Sequence, residues 1–188
     1  MQTGCSDARV PCNVVMGEDA GSVFVQRNVA NLVVNTDFNL MSGLQYAVNY
    51  LKIPDIIVCG HYDCGGVRAS TSRNDHTAPL ENWLRNLRDV YRLHRTELDG
   101  ILDSEARHRR LVELNVIEQC VNLYKTGAVQ RSRLEAKADP SNASLPRIHP
   151  CVFDPKNGRL VDLQVDLDEY MSEIEAIYGL YDTEALAL

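Results

Sequence analysis

No apolar run in the chain approaches the ~18–20 residues that span a bilayer, and no charged segment followed by an apolar stretch opens it as a secretory signal would. Basic residues are the minority, 19 Lys and Arg against 26 Asp and Glu for a net charge of −7. That balance argues against a nucleic-acid groove or a membrane-surface module, both of which need clustered positive charge. Cysteine is too sparse, at six in 188 residues, for a small disulfide-stapled fold. Intracellular thiols, some of them on a metal, are the favoured reading. There is no internal repeat and no low-complexity block. Asn142-Ala143-Ser144 matches a glycosylation acceptor, but without an export signal it reads as chance. What is left is one domain over residues 1–188, long enough to bury a core of its own.

Pattern along the chain predicts α/β architecture, a mainly parallel sheet flanked by helices. Ser22–Gln26 alternates as a short strand. Leu40, Leu44, Ala47, Val48 and Leu51 fall at helical spacing over residues 40–51, with Asp37 or Asn39 as the cap. Ile56-Ile57-Val58-Cys59 is a continuous β-branched run ending at Gly60, the signature of a parallel strand buried on both faces. Residues 68–78 are polar and read as a loop or weak helix end. Pro79 then opens a helix carrying Leu80, Trp83, Leu84, Leu87, Val90, Tyr91 and Leu98. A second helix is predicted from about Ser104 to Lys125, with Gly127 as its stop. Lys137–Pro146 reads as a loop. Ile148–Phe153 and Leu160–Val165 read as strands joined by a turn at residues 155–158, and an acidic helix and tail follow from Asp168. The run Arg107-His108-Arg109-Arg110 reads as a solvated helix face, or as a salt-bridge patch between subunits. His76, His94, His108 and His149 read as surface or partly buried residues without chemistry.

Two short segments carry the chemistry: Cys5-Ser6-Asp7-Ala8-Arg9, and His61-Tyr62-Asp63-Cys64-Gly65-Gly66 directly after the buried strand. In extended chain, Cys5, Asp7 and Arg9 share a face, a thiolate followed by a carboxylate and its ion-pair partner. His61 and Cys64, three apart, fall on one side of a helical turn. Both segments are expected at the carboxyl ends of parallel strands, where open α/β sheets bind ligands. Two thiolates and an imidazole favour zinc over hard cations, and three protein ligands leave one tetrahedral position open, the catalytic arrangement. A zinc ion so held lowers the pKa of its water and makes a nucleophile near neutral pH. Cys12, Cys59, Cys120 and Cys151 are expected to be interior packing residues.

At these residues the sequence resembles the β-class carbonic anhydrases, whose C-x-D-x-R and H-x-x-C-G-G motifs it matches. Arg27-Asn28-Val29-Ala30-Asn31, Gln45-Tyr46-Ala47-Val48 and Glu113–Gln119 resemble further family segments, and the likeness covers about residues 4–167. The resemblance implies one Zn2+ per chain on Cys5, His61 and Cys64. It implies a carbonate dehydratase, a lyase, in which zinc-bound hydroxide attacks carbon dioxide to give bicarbonate and a proton. Asp7 and Arg9 would form the dyad that orients the nucleophile. Gly65 and Gly66 would offer backbone N–H groups to the developing charge, and Phe24, Val29 and Tyr46 would line an apolar substrate pocket. A homodimer or dimer of dimers is implied, with no nucleic-acid or membrane partner. The cytoplasm is the expected compartment, or the mitochondrion or another organelle after removal of a targeting segment.

Two departures from the family pattern stand out. Only Met1-Gln2-Thr3-Gly4 precede the first cysteine, so the family's usual N-terminal helical arm and much of its first strand are expected to be absent. At the positions where some members bind an inhibitory bicarbonate through Trp, Arg and Tyr, this chain has Gln2, Arg27 and Phe153. The alternatives are a carbonyl sulfide or carbon disulfide hydrolase on the same site, or an inactive zinc-stabilised scaffold.

Overall fold

Strand and helix alternate along the computed structural model, which describes residues 1–7, 9–139 and 145–181. In chain order the elements are β1 (Gln2–Cys5), α1 (Cys12–Met16), β2 (Val25–Asn28), α2 (Phe38–Gln45), β3 (Asp55–His61), α3 (Gly65–Ser70) and α4 (Leu80–Leu93). They continue with α5 (Arg95–Gly100), α6 (Ser104–Tyr124), α7 (Gly127–Ala138), β4 (Arg147–Asp154), β5 (Arg159–Asp162) and α8 (Leu167–Tyr178). The strands form one sheet in the order β2-β1-β3-β4-β5. All pairings are parallel except the β4–β5 hairpin. This is the expected α/β architecture.

The β-branched run becomes β3, the central strand. Ile56, Val58, Cys59, Gly60 and His61 are all buried on it, since helices cover both faces of a parallel sheet. Against one face lies α6, on which Leu111, Leu114, Ile117, Val121 and Tyr124 are buried as the spacing predicts. The approach is close. A Cβ on Gly60 would meet the Val116 methyl at 2.5 Å, so a bare α-carbon is what lets helix and strand touch.

Several boundaries moved, each for a local reason. β2 starts at Val25 rather than residue 22 because its partner β1 starts at Gln2, which is in register with Val25. The helix expected over 40–51 runs as α2 to Gln45 and then widens into a π turn, Tyr46–Tyr50, and its cap is Asp37, which accepts from Asn39 N and Leu40 N. Leu98 belongs to the separate helix α5, after a break at His94. Gly127 starts a helix instead of stopping one, since the Thr126 hydroxyl caps α7 by accepting from Val129 N at 3.4 Å. α7 therefore occupies the start of the expected 137–146 loop, and Asn142-Ala143-Ser144 lies outside the described residues. Neither α7 nor the short α1 was anticipated.

The basic run on α6 is not a solvated face. His108 is buried. The Arg109 guanidinium stacks 3.5 Å from the Tyr62 ring centre and stands 3.5 Å from the Asp154 carboxylate. Arg110 bonds Glu97 at 2.5 Å and Glu113 at 3.0 Å. The positions fall where α6 meets α5 and the β3–α3 turn, so His108 is drawn inward and Arg109 and Arg110 are held by ion pairs. Cys12, Cys59, Cys120 and Cys151 are buried and free, as expected.

Candidate metal centre

β1 and β3 are adjacent and parallel, so their carboxyl ends bring Cys5 and His61 together. Cys64 arrives from the turn that follows. His61 is the last residue of β3, Asp63 takes a left-handed φ of 57°, and Cys64 is the N-cap of α3. The spacing of three therefore comes from a strand-to-helix turn, not from the helical turn that the sequence led us to expect. One sulfur-to-sulfur distance, Cys5 to Cys64, is 4.0 Å. All three ligand atoms lie within 4.8 Å of one another, and all three residues are buried.

The donor set fits a soft cation. His61 Nδ1 lies 3.0 Å from the Tyr62 carbonyl. That contact assigns the proton to Nδ1 and leaves the Nε2 lone pair toward the sulfurs. Nε2 is itself buried and without a partner, an expensive arrangement for an imidazole nitrogen unless a ligand completes it. The sulfurs point the same way. The Cys5 thiol is pushed down, by the Cys64 hydrogen bond first, and Cys64 is pushed up by that same contact, by burial and by the Cys5 charge. The two sulfurs thus share one proton in this arrangement, and both can ionise this close together only with a cation between them. A backbone donor helps: Ala30 N–H reaches Cys5 Sγ at 3.4 Å.

Beyond Cys5 the chain leaves the strand, so Asp7 and Arg9 sit in a turn, not on an extended face. Asp7 Oδ1 accepts from Arg9 N at 2.9 Å and Nε at 3.0 Å, and Oδ2 accepts from Nη2 at 2.7 Å. This bidentate grip, ahead of all other causes, holds the Asp7 carboxyl well below the usual carboxylate range. The same Oδ2 is 3.9 Å from His61 Nε2, which places an ionised carboxylate at the edge of the cluster. Arg27 staples this turn, donating to the Cys5 carbonyl at 2.9 Å and the Asp7 carbonyl at 2.5 Å.

The remaining expected residues are dispersed. Val29 precedes the left-handed pair Ala30 and Asn31 and packs on α3, where a Cβ on Gly66 would meet its Cγ1 at 2.8 Å. Phe24 and Tyr46 make a ring pair at 6.2 Å, with Tyr46 half exposed. Sequence reasoning missed the amides beneath the site. On α6, Asn115 donates to the Ala30 carbonyl at 3.0 Å, Gln119 donates to Asn115 Oδ1 at 3.0 Å, and Gln119 Oε1 accepts from Val33 N at 2.8 Å. Their one signal was a pair of amides four apart inside an otherwise apolar helix stripe.

Comparison with known proteins agrees with this geometry. A family model described as carbonic anhydrase matches residues 1–160. A carbonic anhydrase of Emericella nidulans is 50% identical over 177 residues, covering 94% of this chain and 74% of that protein. One of Candida albicans is 30% identical, over 95% of this chain and 59% of its own length. Among solved structures, tetrameric β-carbonic anhydrases of Sordaria macrospora align with TM-score 0.77 at 35% identity, over 87% of this chain and 79% of theirs. The Aspergillus fumigatus enzyme CafA aligns with TM-score 0.80 at 29% identity, over 94% and 81%.

Proposed function

The chain belongs to the β-class carbonic anhydrases, and from that membership we propose that Cys5, His61 and Cys64 hold one zinc ion for the reversible hydration of carbon dioxide to bicarbonate. The observation that carries the assignment is the buried, partnerless His61 Nε2, set among two sulfurs with the Asp7 carboxylate 3.9 Å away. Thiolate and imidazole donors select zinc over hard cations. When bound, zinc supplies Lewis acidity that makes water nucleophilic near neutral pH.

The chain's own residues position the reaction. Asp7, kept ionised by Arg9, is acceptor-only. It takes a hydrogen bond from the attacking oxygen and so turns that atom's lone pair toward carbon dioxide. With both of its oxygens bonded by Arg9, Asp7 is also held back from swinging into the cluster. Gly65 and Gly66 open α3, and in this reading their backbone N–H groups serve the developing bicarbonate charge. Phe24, Val29 and Tyr46 supply apolar surface suited to a small nonpolar substrate.

An oligomer completes the assignment, and a homodimer or dimer of dimers is the form proposed. Phe38 is 84% and Tyr50 73% exposed, and Tyr50 stacks on Tyr46 at 5.6 Å. Aromatic surface of this kind is characteristic of subunit contacts. No helix among the described residues is long and apolar enough to cross a membrane, and the cytoplasm is the compartment proposed. Stopped-flow hydration with metal analysis tests the whole reading. The protein should carry one zinc per chain and hydrate carbon dioxide, and His61→Ala should lose both; full activity in the metal-stripped protein would overturn it.

A further inference from the structure

The basic run on α6 plays no part in the chemistry described so far. Yet one of its arginines, and a glutamate one helical turn further on, close on the turn between His61 and Cys64. Arg109 and Glu113 are four apart and so share a face of α6, and both reach Tyr62, which is only 6% exposed. The Tyr62 hydroxyl donates to Glu113 Oε1 at 2.7 Å. The Arg109 guanidinium covers its ring at 3.5 Å from the centre, a close cation–π contact. Each anchor is itself held. Glu113 Oε2 accepts from Arg110 at 3.0 Å, and Arg109 stands 3.5 Å from the Asp154 carboxylate. The Tyr62 N–H donates to the Phe153 carbonyl at 3.0 Å, so backbone, ring and hydroxyl are all fixed.

The last polar group of Tyr62 is its carbonyl, which accepts from His61 Nδ1 at 3.0 Å. The peptide that carries it runs into Asp63, whose left-handed φ of 57° is one of the two torsions that set its plane. A carbonyl in this place does two things for a histidine ligand. It fixes the tautomer, so that Nε2 carries the lone pair, and it fixes the direction of the ring. No substitution deletes a backbone carbonyl. Its aim depends on what holds the residue, and here that is α6.

We propose that Tyr62 is a positioning residue of the metal centre: clamped by Glu113 and Arg109, it aims its carbonyl at His61 Nδ1 and so presents Nε2 to the zinc. This role rests on the zinc assignment made above. It also accounts for the basic run, since Arg109 holds the Tyr62 ring and Arg110 braces Glu113.

The test is chelator competition for zinc on the full chain, beside the imidazole N–H proton signal that zinc loading brings out in protein labelled with 15N-histidine. Arg109→Met should weaken zinc binding about threefold, and Tyr62→Phe/Arg109→Met about tenfold. In both, the His61 Nδ1 proton should exchange faster with solvent. Arg109→Lys keeps a cation over the ring and should restore most of the affinity. Should the double variant not fold by circular dichroism, Arg109→Met and Arg109→Lys carry the test, because that side chain is 41% exposed. A merely structural role would lower the urea midpoint of the metal-free protein and leave zinc affinity and the imidazole signal as in wild type, and that result overturns the proposal. A wild type that holds no zinc removes the zinc assignment and this role with it; zinc held equally by wild type and variants overturns this role alone.

Discussion

The Asn115 side chain donates to the Ala30 carbonyl at 3.0 Å across 85 residues of chain, and Ala30 in turn points its N–H at Cys5 Sγ at 3.4 Å. Ala30 holds a left-handed φ of 63° and Asn31 one of 49°, conformations that non-glycine residues keep only where surrounding contacts impose them. The amide on α6 is one such contact, so a helix in the core sets the environment of the Cys5 sulfur. Asn115→Ala removes the side-chain partner of the Ala30 carbonyl and of Gln119 Nε2, at a cost of ~1–3 kcal/mol in urea unfolding. Zinc affinity, read by chelator competition, should fall by roughly 10–100-fold. Unchanged affinity would detach this contact from the site.

Asp7→Asn keeps the shape of the side chain but removes the charge that Arg9 grips at 2.7 Å. Zinc content should stay at one per chain, because Asp7 is not among the three clustered ligands. The hydration kcat should fall by about 10²-fold, within the usual range for a lost positioned proton acceptor. Wild-type turnover in this variant would remove Asp7 from the reaction.

Gly66→Ala would by itself favour a helix, yet here the added Cβ meets Val29 Cγ1 at 2.8 Å and Ala30 Cβ at 3.3 Å. Overpacking of this kind costs ~1–3 kcal/mol, and it presses on the turn that donates to Cys5. A lowered melting temperature together with weaker zinc binding is expected. Raised stability would mean that the Val29 turn gives way freely.

Arg147 first, then His149, hold the Asp55 carboxyl below its ordinary value of 3.8, through contacts at 2.8, 2.9 and 2.7 Å. A depressed carboxyl binds fewer protons folded than unfolded. Its stabilisation is therefore present above the unfolded value and is lost as pH falls through the lower, folded one. Asp55→Asn should unfold more readily than wild type at neutral pH. The two stability curves should converge as the pH drops below about 4; a constant gap in chemical denaturation down to acid would rule out this ion pair as the cause.

Replacing Phe38 and Tyr50 with Asp puts charge on the most exposed aromatic surface. If copies pair through it, light scattering at micromolar concentration should show the mass drop toward the 21.1 kDa of one chain. An unchanged oligomer mass would place the subunit contact elsewhere.

Much of this was legible along the chain because it is written in local pattern. The run Ile56–Cys59 could only be a doubly covered strand, and Leu111 to Tyr124 only a buried stripe. Where neighbours rather than period govern an element, the reading slipped. Gly127 reads as a stop until the Thr126 hydroxyl is seen to cap the helix it begins. Arg107–Arg110 reads as solvent-facing until Tyr62, Asp154, Glu97 and Glu113 close around it.

By itself, the sequence determined which soft donors are available and the chemistry they permit. Donor identity is a property of side chains, and the spacing of Cys5, Asp7, Arg9, His61 and Cys64 confines them to the ends of two strands. Only the tertiary structure decided which groups tune those ligands. The Asn115–Ala30 bond and the Ala30–Cys5 contact join residues tens of positions apart, and contacts at that range leave no periodicity in the chain to read.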